Sequence, residues 1–176
     1  MDRRRLLSID WSKGSTGLCL GKWGERPTLT TVSFGKDNNL TGAAAQMIQW
    51  FPDLIKVFQP EIILLEAAFS SGGDVATRLA FGADFFIKGV CSLAGIRMDE
   101  VHNGTWKRDI LGSGSLRSNK AKERSMLVAK GFGMEPKNSD EADAFCIWLW
   151  GFLYALKGRD TEAEQLLAKL KFRLPL

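Results

Sequence analysis

The sequence is poor in the residues that form disulfides and bind zinc. Its 176 residues contain one histidine, His102, and three cysteines that lie far apart, Cys19, Cys91 and Cys146. An odd number at wide spacing predicts free, buried thiols in a reducing compartment and no disulfide framework. With a single histidine and no paired cysteines, a structural zinc site is not expected either.

The sequence also lacks a segment suited to crossing or entering a membrane. The apolar stretch from Ala144 to Leu156 is shorter than the roughly 20 residues that a spanning helix needs, and it predicts a buried core helix. The basic segment Met1 to Arg5 precedes an apolar run that is too short for a signal peptide. We therefore expect a cytoplasmic protein without a membrane partner.

The charge balance is basic. Lysine and arginine total 24 residues against 20 aspartates and glutamates, which gives a net charge of +4 and a pI near 9.0. This balance favours a polyanionic partner such as a nucleic acid. Many basic proteins bind nothing negative, so the charge narrows the partner class without establishing it.

The hydrophobic pattern predicts a single α/β domain over residues 1–176, in which residues 157–176 form a C-terminal helical extension. The four consecutive aliphatic residues within Glu61–Glu66 indicate a strand that is buried on both faces and therefore parallel to a neighbour. The three strands before it predict an antiparallel meander, so we expect a mixed sheet covered by helices. The predicted order is strand Leu6–Asp10, strand Leu18–Trp23, strand Thr28–Phe34, helix Gly42–Phe58 capped by Thr41, strand Glu61–Glu66, helix Asp74–Ala94, strand Ile96–Val101, a helical turn capped by Thr105, helix Asn119–Lys130, helix Asp140–Leu156 capped by Ser139, and helix Thr161–Leu170.

Acidic residues end two predicted strands and begin the last buried helix. Asp10 and Glu66 lie at strand ends, and parallel strands would bring them to the same edge of the sheet. Asp140 and Asp143 stand three residues apart, which places them on one helix face, whereas Glu141 points elsewhere. Four converging carboxylates repel one another, so the pattern indicates a cation between them.

Oxygen ligands without histidine or cysteine select a hard cation such as Mg²⁺ or Mn²⁺. Two such ions about 4 Å apart are a known arrangement for in-line phosphodiester cleavage. Three of the four carboxylates, taken singly, also have an ordinary structural explanation. Asp10 could cap the following turn, Asp140 could be favoured by the helix dipole, and Asp143 could lie on a solvated face.

Four segments, taken in chain order, carry a family resemblance. They are Ile9-Asp10 with Thr16-Gly17, then Leu65-Glu66-Ala67-Ala68-Phe69, then Trp106-Lys107 with Gly112-Ser113-Gly114 and Asn119-Lys120-Ala121, and finally Asp140-Glu141-Ala142-Asp143-Ala144. This ordered set, spread from Leu6 to Leu156, resembles the motifs of RuvC-type Holliday junction resolvases in the ribonuclease H-like nuclease superfamily. Trp11-Ser12 departs from the family's usual Pro-Gly, which suggests a divergent, phage-type member.

The resemblance implies a ribonuclease H-like mixed sheet, with three antiparallel strands plus parallel strands, flanked by helices. It implies paired, symmetric nicking of four-way junctions or other branched DNA by a homodimer, which leaves 5′-phosphate and 3′-hydroxyl ends. It implies two Mg²⁺ ions per site, with Mn²⁺ as a substitute, and a role for Lys107 and Lys120 near the scissile phosphate. The implied metal ligands are Asp10, Glu66, Asp140 and Asp143.

Two surfaces follow from the same comparison. The candidate DNA-binding residues are Phe69, which would stack on a base at the opened crossover, and the basic residues Lys107, Arg117, Lys120, Lys122 and Arg124. The candidate dimer interface is the helix Asp74–Ala94, because Phe81, Phe85 and Ile87 add apolar surface beyond its core-facing side.

Other functions stay open from the sequence. One is a catalytically silent, ribonuclease H-like DNA-binding or assembly module. Another is a less specific nuclease of the same superfamily that acts on flaps or RNA–DNA hybrids. Actin-like kinases share the Asp-turn-Thr-Gly opening, but this chain lacks their second domain and second phosphate loop.

Overall fold

The computed structural model describes residues 4–12, 14–35, 40–68, 73–156 and 161–173, with the side chains of residues 73, 172 and 173 excepted. The chain opens with three strands, helices and strands then alternate, and three further helices follow; two of the helices continue into a π-helical turn. The elements are β1 (Leu6–Asp10), β2 (Thr16–Gly21), β3 (Thr28–Val32), α1 (Leu40–Phe58), β4 (Ile62–Glu66), α2 (Gly73–Leu93), β5 (Arg97–Val101), α3 (Asn103–Trp106) with the π turn Lys107–Leu111, α4 (Ser118–Gly131), α5 (Ser139–Trp150) with the π turn Gly151–Ala155, and α6 (Thr161–Arg173).

The five strands form one mixed sheet in the order β3-β2-β1-β4-β5. β1 pairs antiparallel with β2, which pairs antiparallel with β3. On its other side β1 pairs parallel with β4, and β4 pairs parallel with β5. The predicted mixed sheet of three antiparallel strands plus parallel strands, flanked by helices, is confirmed. β1 lies at the centre, so its last residue reaches the middle of one sheet edge.

Helices cover both faces of the sheet, and each face has its own hydrophobic core. Alternate residues of β1 and β4 point to opposite faces, since Leu6 and Leu64 pack with α4 and α5 while Leu7 and Leu65 pack with α1 and α2. All four of these side chains are buried. The four aliphatic residues of β4 are buried on both faces, as the sequence predicted.

The seating of α5 on the sheet is fixed by two small residues. The buried Ser8 hydroxyl on β1 donates a hydrogen bond of 2.7 Å to the Ala144 carbonyl of α5. Gly17 on β2 lies beneath the first turn of α5, where a Cβ atom would overlap the Asp140 carbonyl. Because Gly17 is also the partner of Asp10 in the sheet, this close approach brings the start of α5 to the end of β1.

Several element boundaries differ from the sequence predictions. β2 begins at Thr16 because the buried Thr16 hydroxyl bonds to the Ser12 carbonyl at 2.5 Å and closes the turn early. Thr41 and Thr105 were predicted as caps, but they lie inside α1 and α3. The cap of α5 is Asn138 and not Ser139, because Asn138 is extended and its side chain accepts from two backbone N–H groups of the first turn.

The C-terminal helix α6 packs on α4, where Ala163 and Leu167 join the same core as α5. The assignment of residues 1–176 to one domain with a C-terminal extension stays a prediction. The three cysteines are buried and unpaired, as expected. Within the described ranges, no helix combines the length and the apolar composition that crossing a bilayer requires.

Substituting Gly17 with alanine tests the seating of α5. We expect Gly17→Ala to lower the free energy of unfolding by about 1–3 kcal/mol, because the added methyl group must push α5 away from the sheet. Gly14→Ala is the matched control, since nothing lies within 4 Å of a Cβ at Gly14. Urea unfolding measures both variants, and equal stabilities would contradict the close approach.

Candidate active site

The parallel pairing of β1 and β4 brings two carboxyl groups together at one sheet edge. Ile9 is in register with Leu65, so the next residues, Asp10 and Glu66, end neighbouring strands side by side. The two carboxyl groups lie close enough for Glu66 to influence the ionisation of Asp10. Desolvation by the surrounding protein and repulsion from Glu66 raise the pKa of Asp10 well above its usual range. Asp10 therefore favours its protonated form when no cation is present.

Helix α5 supplies the second pair of carboxylates. Its cap, Asn138, accepts hydrogen bonds from the N–H groups of Asp140 and Glu141 at 3.1 and 2.9 Å, which fixes the first turn. Asp143 follows one turn later and is only 9% exposed. The charges of Asp140 and Asp143 both contribute to the raised pKa of Asp10. The two carboxyl groups of α5 therefore lie near Asp10.

Asp143 is a buried carboxyl without full hydrogen bonding. Burial raises its pKa to about 6, against the opposing influence of the Ser125 hydroxyl and the Lys107 and Lys122 ammonium groups. Among the described residues, neither Asp143 Oδ1 nor Ser125 Oγ completes a hydrogen bond of ordinary geometry. A buried acceptor in this state is costly unless another group satisfies it.

Two lysines flank the acidic group. Lys122 Nζ on α4 lies 3.7 Å from Asp140 Oδ1. Lys107 Nζ lies 5.3 Å from the centre of the Trp106 ring, and its charge lowers the pKa of Asp143. The buried Trp106 indole in turn donates a hydrogen bond of 2.7 Å to Glu66 Oε1. The site therefore combines four carboxylates from three elements with two cations from two others.

The donor chemistry fits a hard divalent cation. All four carboxylates offer oxygen alone, and the buried Oδ1 of Asp143 is an acceptor that lacks a partner. In the part of the chain that the structure describes, no three acidic, histidine or cysteine side chains already surround one metal-sized point. The residues that could hold a cation are Asp10, Glu66, Asp140 and Asp143.

The predicted DNA-contact residues are placed in different ways. Arg117 and Lys120 are exposed where α4 begins, near Lys122. Arg124 is 5% exposed, and its guanidinium donates a hydrogen bond to the Leu111 carbonyl at 3.0 Å, so it is a buried residue that supports the fold. Phe69 lies outside the described residues.

Sequence reasoning missed three residues around the site. The hydrogen bond from Trp106 to Glu66 spans 40 positions, which no local pattern reveals. Ser125 lies four residues after Ala121 on the same buried face of α4. Helical periodicity could therefore have placed Ser125 inward. Asn138 precedes Glu141 by three residues, which is the spacing of a capping box.

The raised pKa of Asp143 predicts a pH-dependent stability in the absence of divalent metal. Between the ordinary Asp pKa of about 3.9 and the folded value of about 6, the folded state holds more protons than the unfolded state. The free energy of unfolding should therefore fall as pH rises through this window, by on the order of 1–3 kcal/mol. The raised pKa of Asp10 acts in the same direction.

We expect Asp143→Asn to flatten this decline and to be more stable than the unsubstituted protein at pH 7 in chelator. Urea unfolding at several pH values measures it. Asp53→Asn, at an exposed position of α1, is the control and should leave the curve unchanged. Parallel curves for Asp143→Asn and the unsubstituted protein would show that the electrostatic cost lies elsewhere.

Comparison with known proteins adds a fold assignment. No family model matches the sequence, and no curated protein matches it. Thermus thermophilus RuvC is similar with a TM-score of 0.65 at 21% identity, over 88% of this chain and 96% of that one. The same protein in complex with Holliday junction substrate gives a TM-score of 0.70 at 19% identity with the same coverage.

The yeast mitochondrial Holliday junction resolvase is also similar, with a TM-score of 0.53 at 14% identity over 97% of this chain and 82% of that one. These structures cover 88–97% of this chain. The chain has the fold of RuvC-type Holliday junction resolvases.

Proposed function

We propose that this protein is a divalent-metal-dependent endonuclease that resolves four-way junctions and other branched DNA by paired, symmetric nicks. The observation that carries the proposal is the meeting of Asp10, Glu66 and the α5 carboxylates at one sheet edge. The RuvC structure bound to Holliday junction substrate supports the choice of DNA. The buried free thiols suit the reducing cytoplasm.

The four carboxylates are the proposed ligands of two Mg²⁺ ions, with Mn²⁺ as a substitute. Bound there, the ions would lower the pKa of an attacking water and stabilise the leaving oxygen of the phosphodiester. The charges of Glu66, Asp143 and Asp140 all raise the pKa of Asp10, so Asp10 lies close to the other three proposed ligands. Cation binding would relieve the repulsion that raises the pKa of Asp10 and would give the unpartnered Asp143 Oδ1 a ligand.

The flanking lysines have complementary roles toward the DNA strand. Lys107 is half-buried beside Asp143, from where its ammonium group would neutralise charge that develops on the scissile phosphate. Lys122 bridges to Asp140 and would join Arg117 and Lys120 in holding the strand by its phosphates. These exposed cations make DNA binding sensitive to salt.

Cleavage of a labelled four-way junction tests the proposal. The unsubstituted protein should nick the junction symmetrically in Mg²⁺ and not in chelator, and a matched linear duplex should stay intact. Asp10→Asn should reduce the rate by at least about a hundredfold, since several kcal/mol of transition-state stabilisation depends on the metal.

Asp53→Asn is the charge-matched control and should cut like the unsubstituted protein, because Asp53 lies on α1 away from the site. Equal cutting of junction and duplex would support the nuclease activity but contradict the selectivity for junctions. Metal-independent binding without cutting would favour the silent DNA-binding module.

We further propose that two copies join through α2, so that two sites face the two-fold symmetric junction. Phe81 and Phe85 lie one turn apart on one face of α2 and are 51% and 80% exposed. Ile87 was expected to extend this surface, but it is 1% exposed and packs in the core, so it has no part in the interface. An exposed pair of phenylalanines is apolar surface that a partner could bury.

Phe85→Ser should weaken self-association by about tenfold or more, because each copy loses a buried aromatic ring. Val57→Ser is the matched control, since Val57 is 85% exposed on α1 and lies off this surface. Sedimentation equilibrium at micromolar concentration measures both. A monomer with and without junction DNA, or equal behaviour of the two variants, would contradict the α2 interface.

A further inference from the structure

Trp106 touches two groups of the candidate site at once. Its indole N–H donates a hydrogen bond of 2.7 Å to Glu66 Oε1, and the centre of its ring lies 5.3 Å from Lys107 Nζ. The residue sits at the end of α3 and is 1% exposed.

The hydrogen bond restricts the carboxyl group of Glu66. A bond from a buried donor to one carboxylate oxygen fixes the rotation of the group and shields that oxygen from water. Glu66 and Asp10 end neighbouring strands and Glu66 raises the pKa of Asp10, so the orientation of Glu66 affects the carboxyl group beside it. Without an anchor, the two mutually repelling groups would turn away from each other.

The ring restricts the ammonium group of Lys107. A lysine side chain has four flexible carbon–carbon bonds, and an aromatic face is a favourable resting place for its charge. In this position the charge of Lys107 acts on Asp143. One rigid, buried side chain thus fixes the distance between an acidic ligand and a cation.

We propose that Trp106 is a positioning residue that holds Glu66 in the orientation needed to bind divalent cations and keeps Lys107 beside the site, where it can meet the scissile phosphate. The inference rests on the proposed function, because it assigns a role toward the metal of that site. Trp106 itself touches neither metal nor DNA. Its loss should therefore weaken cation binding first and change the chemical step less.

The chain offers a matched set of tryptophan-to-phenylalanine variants. Trp106→Phe removes the N–H donor and keeps an aromatic ring beneath Lys107. Trp148→Phe removes a buried indole N–H that has no hydrogen-bond partner among the described residues. Trp150→Phe removes an indole N–H that donates a hydrogen bond of 3.0 Å to Asp109 Oδ2, which belongs to a carboxylate outside the site.

Mn²⁺ binding followed by electron paramagnetic resonance is the primary measurement, with Mg²⁺-dependent cleavage of a four-way junction as the second. We expect Trp106→Phe to weaken Mn²⁺ binding by about 10- to 100-fold and to raise the Mg²⁺ concentration for half-maximal cleavage by a similar factor. At saturating Mg²⁺ its cleavage rate should recover most of the loss. Trp148→Phe and Trp150→Phe should bind Mn²⁺ like the unsubstituted protein, whatever their thermal stability.

Each outcome decides a different point. If Trp106→Phe binds Mn²⁺ as the two controls do, the positioning role is wrong while the nuclease proposal stands. If its cleavage rate stays low at saturating Mg²⁺ with unchanged Mn²⁺ affinity, the residue acts on the DNA and the inference is equally wrong. If the unsubstituted protein neither binds Mn²⁺ nor cuts the junction, the proposed function fails and the inference fails with it.

Discussion

The close seating of α5 on β1 and β2 is the contact on which the candidate site depends. Gly17 lets the first turn of α5 approach the sheet, and the hydrogen bond from Ser8 to the Ala144 carbonyl sets its position along the strands. Both contacts lie in the interior, where a mismatch of one methyl group is felt. Because Gly17 pairs with Asp10, the same seating that closes the core delivers Asp140 and Asp143 to the end of β1.

This seating has an electrostatic cost that the rest of the site only partly offsets. Asp10 and Asp143 are held where desolvation favours their neutral forms, and the lysines of α4 and of the π turn reduce the cost for Asp143 without removing it. A fold optimised for stability alone would place apolar residues at these positions. Buried carboxyls with raised pKa values are typical of functional sites, and here they are also the groups that a divalent cation would bind.

The sequence predicted much of this arrangement because its strongest patterns are local. Asp10 and Glu66 each close an aliphatic run, and the four aliphatic residues of β4 indicated the parallel pair that aligns them. Contacts between residues far apart in the sequence, such as the hydrogen bond from Trp106 to Glu66, cannot be predicted from local patterns. The positive charge of Arg124 suggests a DNA contact, but helical periodicity places it on the same face as the buried Ala121 and Val128. Asn138 and Ser139 are both residue types that cap helices well, and only the backbone conformation shows that Asn138 caps α5.

The most direct test of the account is anomalous X-ray diffraction from crystals soaked in Mn²⁺. The account predicts anomalous density within coordination distance of Asp10, Glu66, Asp140 and Asp143, at about 2.0–2.2 Å from their oxygens, and its loss in Asp10→Asn crystals. Density at unrelated surface carboxylates alone would contradict the claim that these four residues form a metal centre.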